Sequence, residues 1–222
     1  MFWYLYCTME IKYLGHASFL IKNKEGKLVM DPFDPKVVGL KFPKQEADVV
    51  TVSHSHPDHS LSSQIEGNPL VLDWPGQFEK KGIRIWGYGS FHDKKEGAER
   101  GENVLYKVET EGVSLLHCGD LGVIPTDEFI DEIGEVHVLM VPVGGKFSLD
   151  STEAMALIKK VDPMIVIPMH YGRSELLIEG LAPLGDFLKK MGAENTEPVD
   201  KLVLKKEDFI ADQPVRVVIL KS

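Results

Sequence analysis

The chain has 222 residues, of which 43% are hydrophobic and 27% charged, so it carries apolar material for a sizeable core and no low-complexity or disordered composition. Lys and Arg number 25 against 34 Asp and Glu, a formal net charge of −9, which disfavours a general binder of nucleic acid or of anionic membrane because both need a long-range positive field. Two cysteines, Cys7 and Cys118, are too few for a disulfide framework and suit a reducing, cytoplasmic setting.

One domain over residues 1–222 is expected, with 1–8 as a candidate extension outside the core. The apolar run 2–7 is too short for a membrane helix and lacks a basic flank, so it reads as an edge strand or a tag-like extension. Strand patterns then follow at 10–14, 18–21 and 27–30, the last two joined by a turn at 23–27. Further short apolar or alternating runs at 49–53, 70–72, 83–88, 104–109 and 113–117 make this half β-rich. Beyond it, helices are expected at 125–133, at 150–160 and at 174–191, the last interrupted near Pro183, with Asp150 and Glu153 spaced as a capping box. Buried strands at 136–143, 164–168 and 215–220 alternate with them, which suggests two sheets with helices outside.

The densest chemistry lies in Ser53-His54-Ser55-His56-Pro57-Asp58-His59, where four potential ligands fall within six residues directly after a strand. Imidazole nitrogen and carboxylate oxygen suit zinc and other first-row divalent ions, and Pro57 stiffens the turn. Other phrases are Gly15-His16-Ala17, Met30-Asp31-Pro32, Gly119-Asp120-Leu121-Gly122, Pro142-Val143-Gly144-Gly145 and Pro168-Met169-His170-Tyr171. In this order they resemble the metallo-β-lactamase superfamily, in particular its metal-dependent hydrolases related to ascorbate-6-phosphate lactonase.

The resemblance implies an α+β fold, a four-layer αββα sandwich, with two divalent ions in its cleft: zinc by default, with manganese or iron open. It implies that His54, His56 and His92 hold one ion and that Asp58, His59, Asp120 and His170 serve the other. His92 is preferred to His117 as the third histidine, because strand alternation groups His117 with Val113 and Leu115, opposite Asp120. His117 and Asp31 are then expected to support ligands through hydrogen bonds. His16 either lines the cleft, in contact with substrate, or is a satisfied structural histidine, and both readings stay open. His137 matches no ligand position.

Two ions sharing a hydroxide lower its pKa enough for attack at neutral pH, so no serine or cysteine nucleophile is required. The resemblance implies that Asp58 is the catalytic residue, orienting that hydroxide and accepting its proton. Lys146 and Arg173 could set positive charge at the rim for an anionic substrate. The leading expectation is a metal-dependent hydrolase of a small anionic ester or lactone, acting without long nucleic acid or membrane. A phosphodiesterase or nuclease-type hydrolase and a non-catalytic metal-binding protein are the alternatives.

Overall fold

A computed structural model describes residues 8–210 and 213–222, so the reading of residues 2–7 lies outside the described residues. With strands numbered in chain order, the first sheet contains β1 (Met9–Gly15), β2 (Ser18–Lys22), β3 (Lys27–Met30), β4 (Val49–Thr51), β5 (Leu70–Leu72) and β12 (Leu202–Leu204). Its order is β12-β1-β2-β3-β4-β5, antiparallel from β12 to β3 and parallel from β3 to β5. The tight β2–β3 connection forms because the Asn23 carboxamide oxygen accepts from the backbone N–H of Glu25 at 2.8 Å and of Gly26 at 2.6 Å.

The second sheet contains β6 (Gly76–Lys80), β7 (Ile83–Phe91), β8 (Glu102–Thr110), β9 (Val113–His117), β10 (Val138–Pro142), β11 (Ile165–Met169) and β13 (Arg216–Val217). In the order β13-β11-β10-β9-β8-β7-β6, an antiparallel meander from β6 to β9 continues into a parallel half. That half is connected through α2 (Asp127–Ile133), α3 (Ser151–Val161) and α4 (Leu184–Met191). Asp150 caps α3 by accepting from Thr152 and Glu153 N–H, and Glu153 accepts in return from the Asp150 N–H, as the spacing predicts.

Ile11, Phe19 and Leu28 of the first sheet share one buried cluster with Ile85, Val108 and Leu115 of the second, each 1% exposed or less. Burial on this scale contributes roughly 1.5–3 kcal/mol per large apolar side chain, which locks the sheets face to face. Helix α3 packs on β10 and against α2 and α4. The far face of the first sheet is covered differently: Leu20, Val29 and Val50 pack under Phe42, Ala47 and Ile65. Only α1 (Pro35–Val38) and a 3-10 turn at Ser62–Gln64 form in that covering segment. The αββα sandwich is therefore helix-rich on one side and loop-covered on the other.

Three elements differ from the expectations. No helix runs from residue 174; α4 starts at Leu184, after Pro183, and the preceding residues form a strap. That strap is closed by Gly172 N–H donating to the Ala182 carbonyl and pinned by Leu177 N–H donating to the Val38 carbonyl. The local apolar run of Leu176, Leu177 and Ile178 loses to these tertiary hydrogen bonds. Strands β6 and β12 went unanticipated, being short and partly polar. Among the described residues no helix is long and apolar enough to cross a membrane.

The pairing directions make β1, β3 and β4 run one way in the first sheet, and β7, β9, β10 and β11 run one way in the second. The phrases singled out in the sequence all follow the carboxyl ends of these strands, where turns leave the sheet free to present side chains.

Candidate metal centre

The turn after β3 places Asp31 in the left-handed region, φ 45°, fully buried. Its carboxylate accepts from Ser53 N–H at 2.8 Å, from the Ser53 hydroxyl at 2.6 Å and from His59 Nδ1–H at 2.8 Å. The Ser53 oxygen in turn lies 2.9 Å from His54 Nδ1, which donates to it because the Ser53 proton is used on Asp31. One carboxylate thus engages Nδ1 of two histidines, directly and through Ser53, and turns both Nε2 atoms into the cleft. Burial pushes the Asp31 pKa upward, but His117, His59 and Ser53 outweigh it, leaving the group below its ordinary value.

Three ligand-type atoms from His54, His56 and His92 lie within 4.8 Å of one another, as do those of His16, Asp58, His59 and His170, and those of His54, His59 and Asp120. Asp120 sits between the groups, with Oδ1 3.4 Å from His59 Nε2 and Oδ2 3.3 Å from His92 Nε2 and 3.2 Å from His170 Nε2. These contacts are close but poorly aligned for hydrogen bonding. His54 Nε2, His59 Nε2, His170 Nε2 and Asp120 Oδ1 are all buried without a hydrogen-bond partner. Orphaned buried polar atoms are costly unless something fills the space between them. An inward set of imidazole nitrogens and carboxylate oxygens, several of them buried without a partner, fits a cation.

The electrostatics agree. Burial pulls His54 and His170 down to about 3, so both imidazoles are neutral and able to donate a lone pair. For His59 burial acts downward too, but Asp120 and Asp31 outweigh it and hold the ring protonated well above the usual range. A proton there occupies the position of positive charge that a metal ion would supply. Asp58 and Asp120 are both held well below the carboxylate range: burial opposes this, while His16 and His59 around Asp58, and His170 and His59 around Asp120, prevail.

Two glycines have a specific role. A Cβ on Gly122 would fall 2.4 Å from the carbonyl carbon and oxygen of His92, and one on Gly144 would fall 2.2 Å from the His170 carbonyl oxygen. These glycines let the turns after β9 and β10 press against the backbones that carry two candidate ligands.

The other candidate residues are placed as follows. His16, φ 56° and 1% exposed, donates through Nε2 to Asp58 Oδ2 at 3.1 Å and packs 4.3 Å, centroid to centroid, from His170. It joins the second group, a position the sequence left open. His117 has both ring nitrogens engaged, Nε2–H on the Ala17 carbonyl at 2.8 Å and Nδ1 accepting Gly119 N–H at 3.2 Å. Lys146 donates to the Glu179 carbonyl at 2.6 Å beside a groove that His92 also lines. Arg173 bonds Ser222 at 2.7 Å and pairs with Glu175 at 3.5 Å, away from that groove. His137 accepts from Ser114 N–H at 3.0 Å and packs on Phe209. Cys118 is fully buried and its thiol is pushed far up by desolvation, so it offers no nucleophile.

Sequence reasoning missed Asn103, which is fully buried on β8. Its oxygen accepts the Asp120 N–H at 3.0 Å and its amide donates to the Cys118 carbonyl at 3.0 Å, fixing the turn that aims Asp120. A lone amide beside the apolar run Val104-Leu105-Tyr106 was the available signal. A groove of about 610 Å³ reaches His54 past Trp74 and Phe91, and another of about 420 Å³ reaches His92 past Arg100 and Phe147. A larger cavity, about 920 Å³, lies around Met191, Phe209 and Ile210, and no candidate ligand lines it.

The chain matches the family model described as a β-lactamase superfamily domain over residues 10–170. A metal-dependent hydrolase of Carboxydothermus hydrogenoformans is 29% identical over 82% of this chain and 92% of its own length. A metal-dependent hydrolase of Thermococcus kodakarensis is 30% identical over 73% of this chain and 84% of its own. The crystal structure of a metallo-β-lactamase superfamily protein of Thermotoga maritima, a proposed Zn-dependent hydrolase, superposes with a TM-score of 0.76 at 35% identity, covering 96% of this chain and all of that one.

Proposed function

The chain belongs to the metallo-β-lactamase superfamily, and on that premise we propose that it is a metal-dependent hydrolase with two divalent ions, zinc by default, acting on a small anionic ester or lactone. The observation that carries this reading is the set of histidine and aspartate ligand atoms converging from the ends of β1, β4, β7, β9 and β11, with His54 Nε2, His59 Nε2, His170 Nε2 and Asp120 Oδ1 buried and unpartnered. The names of the relatives support the reaction class.

His54, His56 and His92 would hold one ion, and Asp58, His59 and His170 the other, with Asp120 facing both. Such ions polarise a carbonyl or phosphoryl oxygen and lower the pKa of water to about 7. The chain's own groups do the rest. Asp31 and Ser53 hold His54 and His59 in the tautomer that presents Nε2. His16 fixes one oxygen of Asp58, and the partly exposed carboxylate orients water and accepts its proton. The two grooves have the size of small-molecule sites, which supports a small substrate over a polymer.

The test combines elemental analysis of purified and reconstituted protein with a panel of lactones, thioesters, phosphodiesters and phosphonates. Bound metal with lactone or ester turnover is expected. Preferential phosphodiester turnover would replace the substrate class, and metal without any turnover would favour a binding protein.

A further inference from the structure

The groove beside His92 is walled by the loop after β7 and by the turn after β10, and its charges are unevenly satisfied. Asp93 accepts four backbone N–H groups of its own loop, from Lys95, Gly97, Glu99 and Arg100, at 2.7–3.1 Å. This makes a long polar loop into a fixed wall. Glu99 pairs with Lys95 at 2.6 Å, Glu153 pairs with Lys94, and Asp150 is consumed as the α3 cap. All four carboxylates of the groove are therefore engaged.

Two cations are not matched in this way. The Arg100 guanidinium carbon stacks 4.0 Å from the Phe147 ring centroid, and the Lys146 ammonium lies 4.5 Å from the same centroid. Among the described residues Arg100 has no carboxylate within salt-bridge distance, and Lys146 bonds only the neutral Glu179 carbonyl. Ser148, on the same wall, has a buried hydroxyl with no partner. Two cations gathered on one ring without a carboxylate partner repel each other and favour an anion beside them, and the unpartnered Ser148 hydroxyl on the same wall adds a donor. A guanidinium placed over an aromatic face is also suited to bidentate binding of a carboxylate or phosphate.

We infer that Arg100, Lys146 and Ser148, set on Phe147 at the edge of the His92 groove, form the subsite that binds the oxyanion tail of the substrate, a carboxylate or phosphate. The inference rests on the proposed hydrolase reading and deepens it. It assigns the anionic selectivity to Arg100, which the sequence did not single out, and leaves Arg173 to its partners on the chain.

Two measurements test it separately from the hydrolase reading. In metal-free protein, inorganic phosphate or succinate should produce saturable amide shifts at Arg100, Phe147 and Ser148 in nitrogen-15 correlation spectra, and Arg100→Gln should abolish them at Phe147 and Ser148. Absence of saturable shifts for both anions would overturn the subsite. In metal-loaded enzyme, mono-p-nitrophenyl succinate and p-nitrophenyl butyrate differ only by a terminal carboxylate. The ratio of their kcat/KM values should fall at least about tenfold in Arg100→Gln through KM. It should stay at the wild-type value in Arg84→Gln, which removes a distant cation paired with Glu109. An unchanged ratio in Arg100→Gln contradicts the subsite. Turnover of neither ester counts against the hydrolase reading, and the amide shifts then decide the subsite alone.

Discussion

His54, His56 and His92 come together as three imidazoles with no carboxylate in the group, whereas His16, His59 and His170 share theirs with Asp58. The first group opens toward solvent at the half-buried His56, while the three histidines of the second are 1% exposed or less. The groups differ in charge and access yet share their scaffold: Asp120 faces both, and Asp31 orients His54 through Ser53 and His59 directly. Residues common to both groups should therefore act on both, and residues private to one should not.

The largest effect is expected at the shared carboxylate. Asp120→Ala should strip metal from both groups and reduce turnover below about one-hundredth of wild type, because the ions supply several kcal/mol of charge stabilisation; metal retained at either group would break the sharing. Asp58→Asn should lower turnover by roughly 10²–10⁴ while the His54, His56 and His92 group keeps its metal. Unchanged turnover would remove Asp58 from the chemistry. Next, Asp31→Ala should weaken metal binding about 10–100-fold, at both groups rather than one, measured by competition with a chelator.

His56→Ala should sharpen the contrast by emptying its own group and sparing the other. The smallest effect is expected at His117. Its replacement by Ala leaves the Ala17 carbonyl unsatisfied and should cost about 1–3 kcal/mol of stability in denaturant unfolding, with metal content unchanged. Loss of metal there would return His117 to the ligand set.

Legibility in the sequence followed distance along the chain. The turn of His54, His56, Asp58 and His59 announces itself because four ligand types follow one strand, and the capping box of α3 is readable because its partners are three residues apart. His16 joins the second group from 42 residues before Asp58, and Asn103 reaches Asp120 across 17 residues, so neither role exists until the strands pair. The failed helix at 174–183 has the same cause in reverse, since local apolar spacing was overridden by hydrogen bonds to Val38 and Ala182. Arg100 carries no signal in the sequence, because the four N–H donors that bind Asp93 and order its loop are backbone groups, invisible in composition.

The most direct measurement is metal stoichiometry by inductively coupled plasma mass spectrometry on wild type, His56→Ala and Asp120→Ala after reconstitution and gel filtration. The account predicts two divalent ions per chain in wild type, one in His56→Ala and near none in Asp120→Ala. Metal-free wild type after reconstitution, or equal content in all three proteins, would contradict it.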